Sequence, residues 1–384
     1  MKLEVSSKHV KLRLILTILF FLIAVAAFTV GVLSIGRKYP GHQTIEAKTD
    51  AEALLYNKAV GFRYYLDGSS NQIKRGINAL TEVYTPLLSA AYKELDHQNT
   101  YTGVIGLATI NRNMGTELVV SSRLYDILKD AYARTLEKKG FNMFAGALYK
   151  EWESILILED PQDFDPSNSA FQAQRIAAIA AMVNDLDNFK LEFVNDEIHS
   201  VRLTVSQKYL DFCRENEIDA PVLDLNILRD AYRLDMIAQG LSEAGYTDGY
   251  LYTAEGLVLN MSSRVLGYDL YTLEGTTETV YASIQVGGPF GANTLTAFGM
   301  GSSYSYRTTN PVYYRSRYFN VQTGDFSNII LSVTVIGNGI SAVDAVLIDT
   351  ELNNLTTEAQ VADYAATLET RGLLVSYTLQ SDNN

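Results

Sequence analysis

The chain predicts an α+β fold, and three observations carry that prediction. Residues 70–245 are dominated by helical spacing of apolar side chains. From residue 249 the period changes to runs of Tyr, Val, Thr and Ile broken by Gly and Asn. A helix pair and one further strand close the chain. Helices early, sheet late and helices again at the end make an α+β rather than a βαβ arrangement.

The elements follow in order. Residues 71–95 put Ile73, Ile77, Leu80, Tyr84, Leu87 and Leu88 on one side, with Pro86 expected to kink or end the helix. Residues 122–139 form an amphipathic helix, with Ser121 or Ser122 as N-cap and Gly140 as the stop. Residues 169–186, 204–217 and 223–244 are also expected to be helical, the last ending at Gly245. Strands are expected at 249–260, 279–287, 293–300, 312–320 and 329–337. Asn338 or Ser341 caps a helix over 341–350, a last helix covers 357–370, and residues 372–379 form the final strand.

Composition narrows the function. The 384 residues are 47% hydrophobic and 11% aromatic, enough to bury a sizeable core in more than one subdomain. Gly (26) and Pro (7) are too few for a collagen-like or low-complexity chain. A single cysteine, Cys213, excludes a disulfide or zinc scaffold. A net charge of −13 argues against nucleic acid as a partner. Only four histidines occur, and no Ser-His-Asp or Cys-His arrangement and no P-loop is present.

The charge is unevenly placed. Six basic residues against Glu4 give the first 38 residues +5, which leaves −18 for the rest. Within that leader, the 23 residues from Leu14 to Gly36 carry no charge. At ~1.5 Å per residue they span the ~30 Å hydrocarbon core of a bilayer. The run is longer than a signal-peptide core, and its end, Ser34-Ile35-Gly36-Arg37, is a poor cleavage site. Both flanks are basic and no polar face exists, which favours a membrane anchor over a buried core helix. Residues 1–13 then form a cytoplasmic basic leader, 14–36 a transmembrane helix and 37–50 a tether. Residues 51–384 form the folded domain, placed outside the membrane of a single-pass protein by the positive-inside rule.

Three other features have two readings each. The acidic run Glu159-Asp160-Pro161-Gln162-Asp163-Phe164-Asp165 holds oxygen ligands at calcium-like spacing, but lacks the central Gly and final Glu of a calcium loop. An acidic turn before a helix capped at Ser169 is favoured. Gly287 to Thr294 is glycine-rich but has no Lys, so a hairpin turn is favoured over a phosphate cradle. The cluster Tyr304, Tyr306, Tyr313, Tyr314 and Tyr318 suits a partner-facing strand or, as favoured here, core packing.

Several segments, in order, match the motifs of one known family. Where that family has a Met-Gly-Thr strand, this chain has Ala59-Val60-Gly61-Phe62. Leu87-Leu88-Ser89 and Ile110-Asn111-Arg112 stand for its Leu-Leu-Ser and Ile-Asn. Gly140-Phe141-Asn142, then Gly146-Ala147-Leu148 and Trp152, follow the amphipathic helix as in the family. The family's Asp-Leu-Gly-Gly-Ile-Ala-Lys-Gly-Tyr-x-x-Asp resembles Asp224-Leu225-Asn226-Ile227-Leu228-Arg229-Asp230-Ala231-Tyr232-Arg233-Leu234-Asp235. Its last stretch is similar to Gly301-Ser302-Ser303-Tyr304, then Arg317 to Gly324, Leu331-Ser332-Val333-Thr334-Val335 and Val343-Asp344-Ala345-Val346. Over roughly residues 55–380 the chain thus resembles the FAD:protein FMN transferase (ApbE-like) family.

This resemblance implies an ApbE-like flavin transferase fold behind one N-terminal transmembrane helix. It implies FAD or FMN as cofactor, with Gly61, Asn111, Asp224, Tyr232, Gly301, Thr323 and Gly324 as binding positions. Asp344 would be the magnesium ligand, although a helix-cap role for it is equally open. The family's chemistry passes FMN from FAD to a Ser or Thr hydroxyl with magnesium's help. Here the family's His is Arg317, which cannot serve as a base. The family's Lys is Asp230, a reversed charge, its metal-binding Thr is Ile348, and two of its glycines are Asn226 and Ile227. The favoured reading is therefore a pseudoenzyme: an extracytoplasmic, membrane-anchored relative with no catalytic residue assigned, which holds a flavin or a surface or flavoprotein partner. An active magnesium-dependent transferase is the alternative, and a structural surface protein without flavin is a third.

Overall fold

The computed structural model describes residues 18–21, 23–24, 37–48, 59–300, 305–309 and 312–380. The leader 1–13, most of the expected span 14–36, and Gly301 lie outside these residues. Among the described residues no helix is long and apolar enough to cross a membrane. The chain divides into two compact units, residues 1–43 with 65–79, and residues 44–64 with 80–384. In the smaller unit the Lys38 amide donates to Ser70 Oγ at 3.0 Å and the His42 ring meets Tyr65 edge-on.

The chain opens with β1 (Gly41–Ile45), β2 (Val60–Leu66), α1 (Ser70–Leu95), α2 (Leu107–Arg112) and β3 (Glu117–Val119). Then come α3 (Ser122–Glu137), α4 (Gly146–Leu156), α5 (Ala170–Asn184), β4 (Phe189–Asn195), β5 (Ser200–Val205), α6 (Gln207–Glu215) and α7 (Arg229–Glu243). The strand-rich part holds β6 (Gly249–Thr253), β7 (Val258–Asn260), β8 (Leu266–Glu274), β9 (Thr277–Val286), β10 (Phe290–Thr296), β11 (Tyr306–Arg307), β12 (Tyr314–Arg315) and β13 (Ile330–Asn338). The chain closes with α8 (Ala342–Asn353), α9 (Glu358–Thr370) and β14 (Leu373–Leu379).

Seven strands form one sheet in the order β1-β2-β6-β7-β10-β13-β14. At its centre β10 and β13 pair antiparallel, from Phe290 opposite Asn338 to Thr296 opposite Ser332. Both strands are buried almost throughout because both faces are covered. The β8–β9 hairpin lies on one face, where Tyr268 and Leu270 pack with Phe290, Ala292 and Ile336. Alternate residues point to α8, as Asn293 does in reaching Asp349. A separate three-stranded sheet runs β3-β5-β4.

Several expectations hold locally. Ser121, Ser169, Ser341 and Thr357 each cap the helix that follows through a side-chain oxygen. Gly140 adopts φ +71°, but the helix stops before it: Lys138 is the C-cap of α3, left-handed at φ +56°. Others need correction. Helix α1 runs through Pro86, whose side is exposed, so the carbonyl it leaves unbonded can be hydrated. The expected strand 249–260 is the hairpin β6–β7. Residues 287–289 are no hairpin turn: they carry the chain from β9, which pairs only with β8, to β10 in the main sheet. Only Tyr314 and Arg315 of the expected strand 312–320 are paired, because side-chain bonds hold that segment. Strands β3, β4, β5 and β8 and helix α4 were not expected.

The acidic turn resolves by burial. Asp165 is fully buried and accepts from Arg315 Nε at 2.7 Å and Nη2 at 3.2 Å, from Tyr306 Oη at 2.7 Å and from Ser167. These donors hold the turn on β11 and β12. Tyr306, Tyr314 and Tyr318 are buried, as core packing requires, and Tyr304 lies outside the described residues.

Candidate functional site

The segment from Asp224 to Asp235 opens α7 and organises two groups of charged side chains. Its entry is tightly held. Asn111, at the end of α2, donates to the Leu223 carbonyl at 2.9 Å and accepts from the Leu223 amide at 2.8 Å. The Asp224 amide donates to the Met143 carbonyl at 2.9 Å. Asn226 then takes φ +33°, a left-handed conformation that glycine adopts freely and asparagine tolerates best among the others. Its amide donates to Asp224 Oδ1 at 2.8 Å. The backbone shape that the family's glycine implies is kept here by an asparagine.

The first charged group surrounds Asp224 and Asp230. Asp224 is buried and pairs with Arg229 at 2.6 Å, with the His97 ring 3.7 Å away. Asp230 pairs with Arg233 at 2.7 Å, and the Arg233 guanidinium lies 3.9 Å over the Tyr92 ring. Arg317 pairs with Glu255 and with the Tyr318 hydroxyl. Burial pushes the Asp230 carboxyl up, but Arg233, Arg317 and Arg229 together hold it below the ordinary carboxylate range. Asp224 behaves likewise, held down by Arg229, His97 and the Asn226 amide against its burial. Glu255 is raised by burial despite Arg317. Burial and the nearby Arg229 lower His97 to about 4, so its ring is neutral at pH 7.

The second group lies on the other side of α7. The Tyr232 hydroxyl donates to Asp130 Oδ2 at 2.7 Å, which also accepts from Arg134 Nε at 2.7 Å. Arg134 Nη2 reaches Asp344 Oδ1 at 3.0 Å. Asp235 accepts from the Ala342 and Val343 amides at the start of α8, at 2.9 and 3.1 Å, and burial raises its carboxyl to about 6. A cleft of about 400 Å³ opens beside these residues, lined in part by Arg123, Asp126, Asp130, Tyr232 and Asp235.

The structure thus brings Asn111 and Asp224 together, and Tyr232 and Asp344 together. Thr323 and Gly324 form a turn in which Gly324 has φ +81° and its amide donates to the Asn320 carbonyl at 2.7 Å. Trp152 Nε1 donates to the Gly324 carbonyl at 2.8 Å, and a side chain at 324 would strike Ile176. Burial raises the hydroxyl of Tyr149, one turn earlier on α4, with the charge of Asp224 adding to the rise and those of Arg317 and Arg229 opposing it. Gly61 sits in β2 opposite Tyr252, whose ring lies 2.2 Å from where a Cβ would stand. Its need for glycine is met by that ring.

Sequence reasoning passed over His97, Arg229, Arg233, Glu255, Asp130 and Arg134. For Arg229 and Arg233 a signal existed: they are spaced i, i+4 and flank Asp230, so they share one face of α7. Glu255 and His97 reach the site from distant loops, which no local pattern reveals.

Magnesium finds no suitable donor set at Asp344. Arg134 holds its carboxylate, Ser341 Oγ accepts from its amide as a helix cap, and Ile348 offers no oxygen. Among the described residues no group of three or more His, Cys, Asp and Glu side chains is arranged to hold a metal. The first group is different. The Nε atoms of Arg229, Arg233 and Arg317 and the Nδ1 atom of His97 are buried there without a partner.

The fold matches solved flavin transferases. The ApbE protein from Thermotoga maritima superposes with a TM-score of 0.57 at 15% identity, over 88% of this chain and 95% of that one. The flavin transferase ApbE from Vibrio cholerae gives 0.54 at 13% identity, over 89% and 94%. The apo flavinyl transferase ApbE from Pseudomonas stutzeri gives 0.52 at 15%, over 89% and 92%. At these identities the likeness establishes an ApbE-like fold. No family model matches the chain, and no curated protein matches it by sequence.

Proposed function

We propose that the chain is a non-catalytic relative of the FAD:protein FMN transferases, anchored by residues 14–36 with its body outside the membrane, where it serves a flavoprotein or another surface protein as a binding partner. The observation that supports this most is that Asp230 and Arg317 are both tied up in ion pairs, Asp230 with Arg233 and Arg317 with Glu255. These residues stand where the family resemblance puts a lysine and a histidine. Neither can do that work: a carboxylate repels the developing phosphoryl charge, and a guanidinium holds its proton. Removing one such group typically lowers turnover by ~100–1,000-fold, so losing both leaves little. Asp344, tied to Arg134 at 3.0 Å, adds no free carboxylate for a metal.

The test is covalent transfer. The full chain in detergent, given FAD, magnesium and an acceptor peptide bearing a Ser or Thr, should leave the peptide unflavinylated by mass. Abundant transfer abolished by Asp344→Ala would establish the active transferase instead. The anchor is tested on cells: the chain should stay in the membrane fraction after alkaline extraction and be cleaved by an external protease. Release by alkali would refute the anchor.

A further inference from the structure

The turn between α4 and α5 carries side chains that neither charged group uses. Four large apolar residues there face water: Ile157 at 56% exposure, Leu158 at 40%, Phe164 at 52% and Phe171 at 71%. Single exposed apolar residues are common on protein surfaces, but a group of them gathered in one place marks an interaction face. The fold gathers these. Helices α4 and α5 pack on each other, and Glu151 of α4 accepts from Gln172 at 2.5 Å and from Arg175 at 2.8 Å in the first turns of α5. The end of α4, the start of α5 and the turn that joins them therefore share one end of the helix pair.

This end is held rigid. Buried Asp165 ties the turn to Arg315 and Tyr306. Gln162 Nε2 donates to the Arg307 carbonyl at 3.3 Å, Asn168 Nδ2 donates to the Gln162 carbonyl at 2.9 Å, and Ser169 caps α5. A fixed backbone thus presents the apolar side chains, which spares a partner the cost of ordering a loop. Charge then selects the partner. Glu159, Asp160 and Asp163 stand between the apolar residues, are exposed and, among the described residues, have no cation as partner. A second copy of the chain would set these carboxylates against their own counterparts, and an anionic bilayer surface would repel them. A segment with Lys or Arg beside large apolar side chains meets both features at once.

We propose that the face formed by Ile157, Leu158, Phe164 and Phe171, rimmed by Glu159, Asp160 and Asp163, docks a basic, apolar segment of a partner protein. This face serves the binding role proposed above and rests on that reading, but the two fail separately. FMN transfer would refute the non-catalytic reading, whereas the outcomes below bear on the docking face alone.

The experiment titrates the full chain in nonionic detergent with a short fluorescent peptide of Leu, Phe, Lys and Arg, beside a counterpart in which Glu replaces Lys and Arg. The basic peptide should bind and the acidic one should not. Phe164→Ser and Phe171→Ser should each weaken binding about tenfold, the loss of one aromatic anchor. Ile198→Ser removes a side chain 51% exposed on the β4–β5 turn and should leave binding unchanged. Neutralising the rim with Glu159→Gln, Asp160→Asn and Asp163→Asn together should weaken binding and flatten its dependence on salt. Every substituted side chain is exposed, so these variants keep the fold. A benzophenone carried by the basic peptide should crosslink within residues 157–171. Equal binding of the two peptides, crosslinks elsewhere, or wild-type affinity in both Phe variants would overturn the proposal. So would a sedimentation mass above one chain that falls in Phe164→Ser, which gives the face to a second copy. Loss of peptide binding on moving the chain from detergent to phosphatidylcholine nanodiscs would give the face to the bilayer and overturn the proposal as well.

Discussion

Replacing Asp349 with asparagine should remove a pH-dependent weakness from the middle of the fold. Asp349 lies on α8, is fully buried, and faces β10, where its Oδ2 accepts from Asn293 Nδ2 at 2.8 Å. Its other oxygen is buried without a partner. Burial drives the carboxyl well above its ordinary value, and the single bond from Asn293 offsets little of that. The native state therefore keeps a proton that the unfolded chain releases. Stability from this group is fully present below the ordinary carboxylate pKa of about 4, and declines as pH rises above it until the native group ionises. While the unfolded chain is ionised and the native one is not, the decline is about 1.4 kcal/mol per pH unit. Asparagine keeps the shape and cannot ionise. Urea unfolding followed by far-UV circular dichroism from pH 4 to 8 should show Asp349→Asn and wild type nearly equal at the acid end. The gap should then widen in favour of the variant by about that slope. A gap that stays constant across the range would show that Asp349 is already ionised in the native protein, and the argument from burial would fail.

Arg315→Met leaves the Asp165 carboxylate buried without its cation and should cost about 3–5 kcal/mol, read from the urea midpoint at pH 7. Burial raises Asp165, but Arg315, Ser167 and Tyr306 hold it below its ordinary value. This stabilisation is present above the ordinary carboxylate pKa and lost as pH falls, so the penalty should shrink in acid, and Asp165→Asn in the same chain should recover most of it. Asn226→Gly should be neutral or stabilising, and Asn226→Ala should lower the thermal midpoint by the equivalent of about 1 kcal/mol or more, because φ +33° suits alanine poorly. Equal midpoints for the two variants would remove the strain argument.

Local signals were readable wherever a residue's neighbours in sequence are also its neighbours in space. Ser121, Ser169, Ser341 and Thr357 cap their helices because the donor each needs lies three residues on. The buried side of α1 follows from the spacing of Leu80, Tyr84, Leu88, Ala91 and Leu95. The motif from Asp224 to Asp235 could be aligned through its ends, and the left-handed Asn226 shows why its middle tolerated change. The short strand β3 escaped notice because its pairing partners lie more than eighty residues away, as Arg202 does from Glu117, whereas β4 and β5 form a local hairpin. The stretch Gly287 to Pro289 looked like a turn and is a crossing between sheets, since its composition fits both.

By itself the sequence determined the α+β character and most helix starts, matters of residue type and short spacing. It also shows the uncharged run of 23 residues from Leu14 to Gly36. Only the tertiary structure decided which partners the charged side chains take. Asp230 and Arg317 are 87 positions apart in the chain, yet burial brings them into one network with Glu255 and Arg229. The same holds for Asp344, whose carboxylate is claimed by Arg134 from another helix. Charges removed from water must find partners, and which partners they find depends on packing between segments that no local pattern connects.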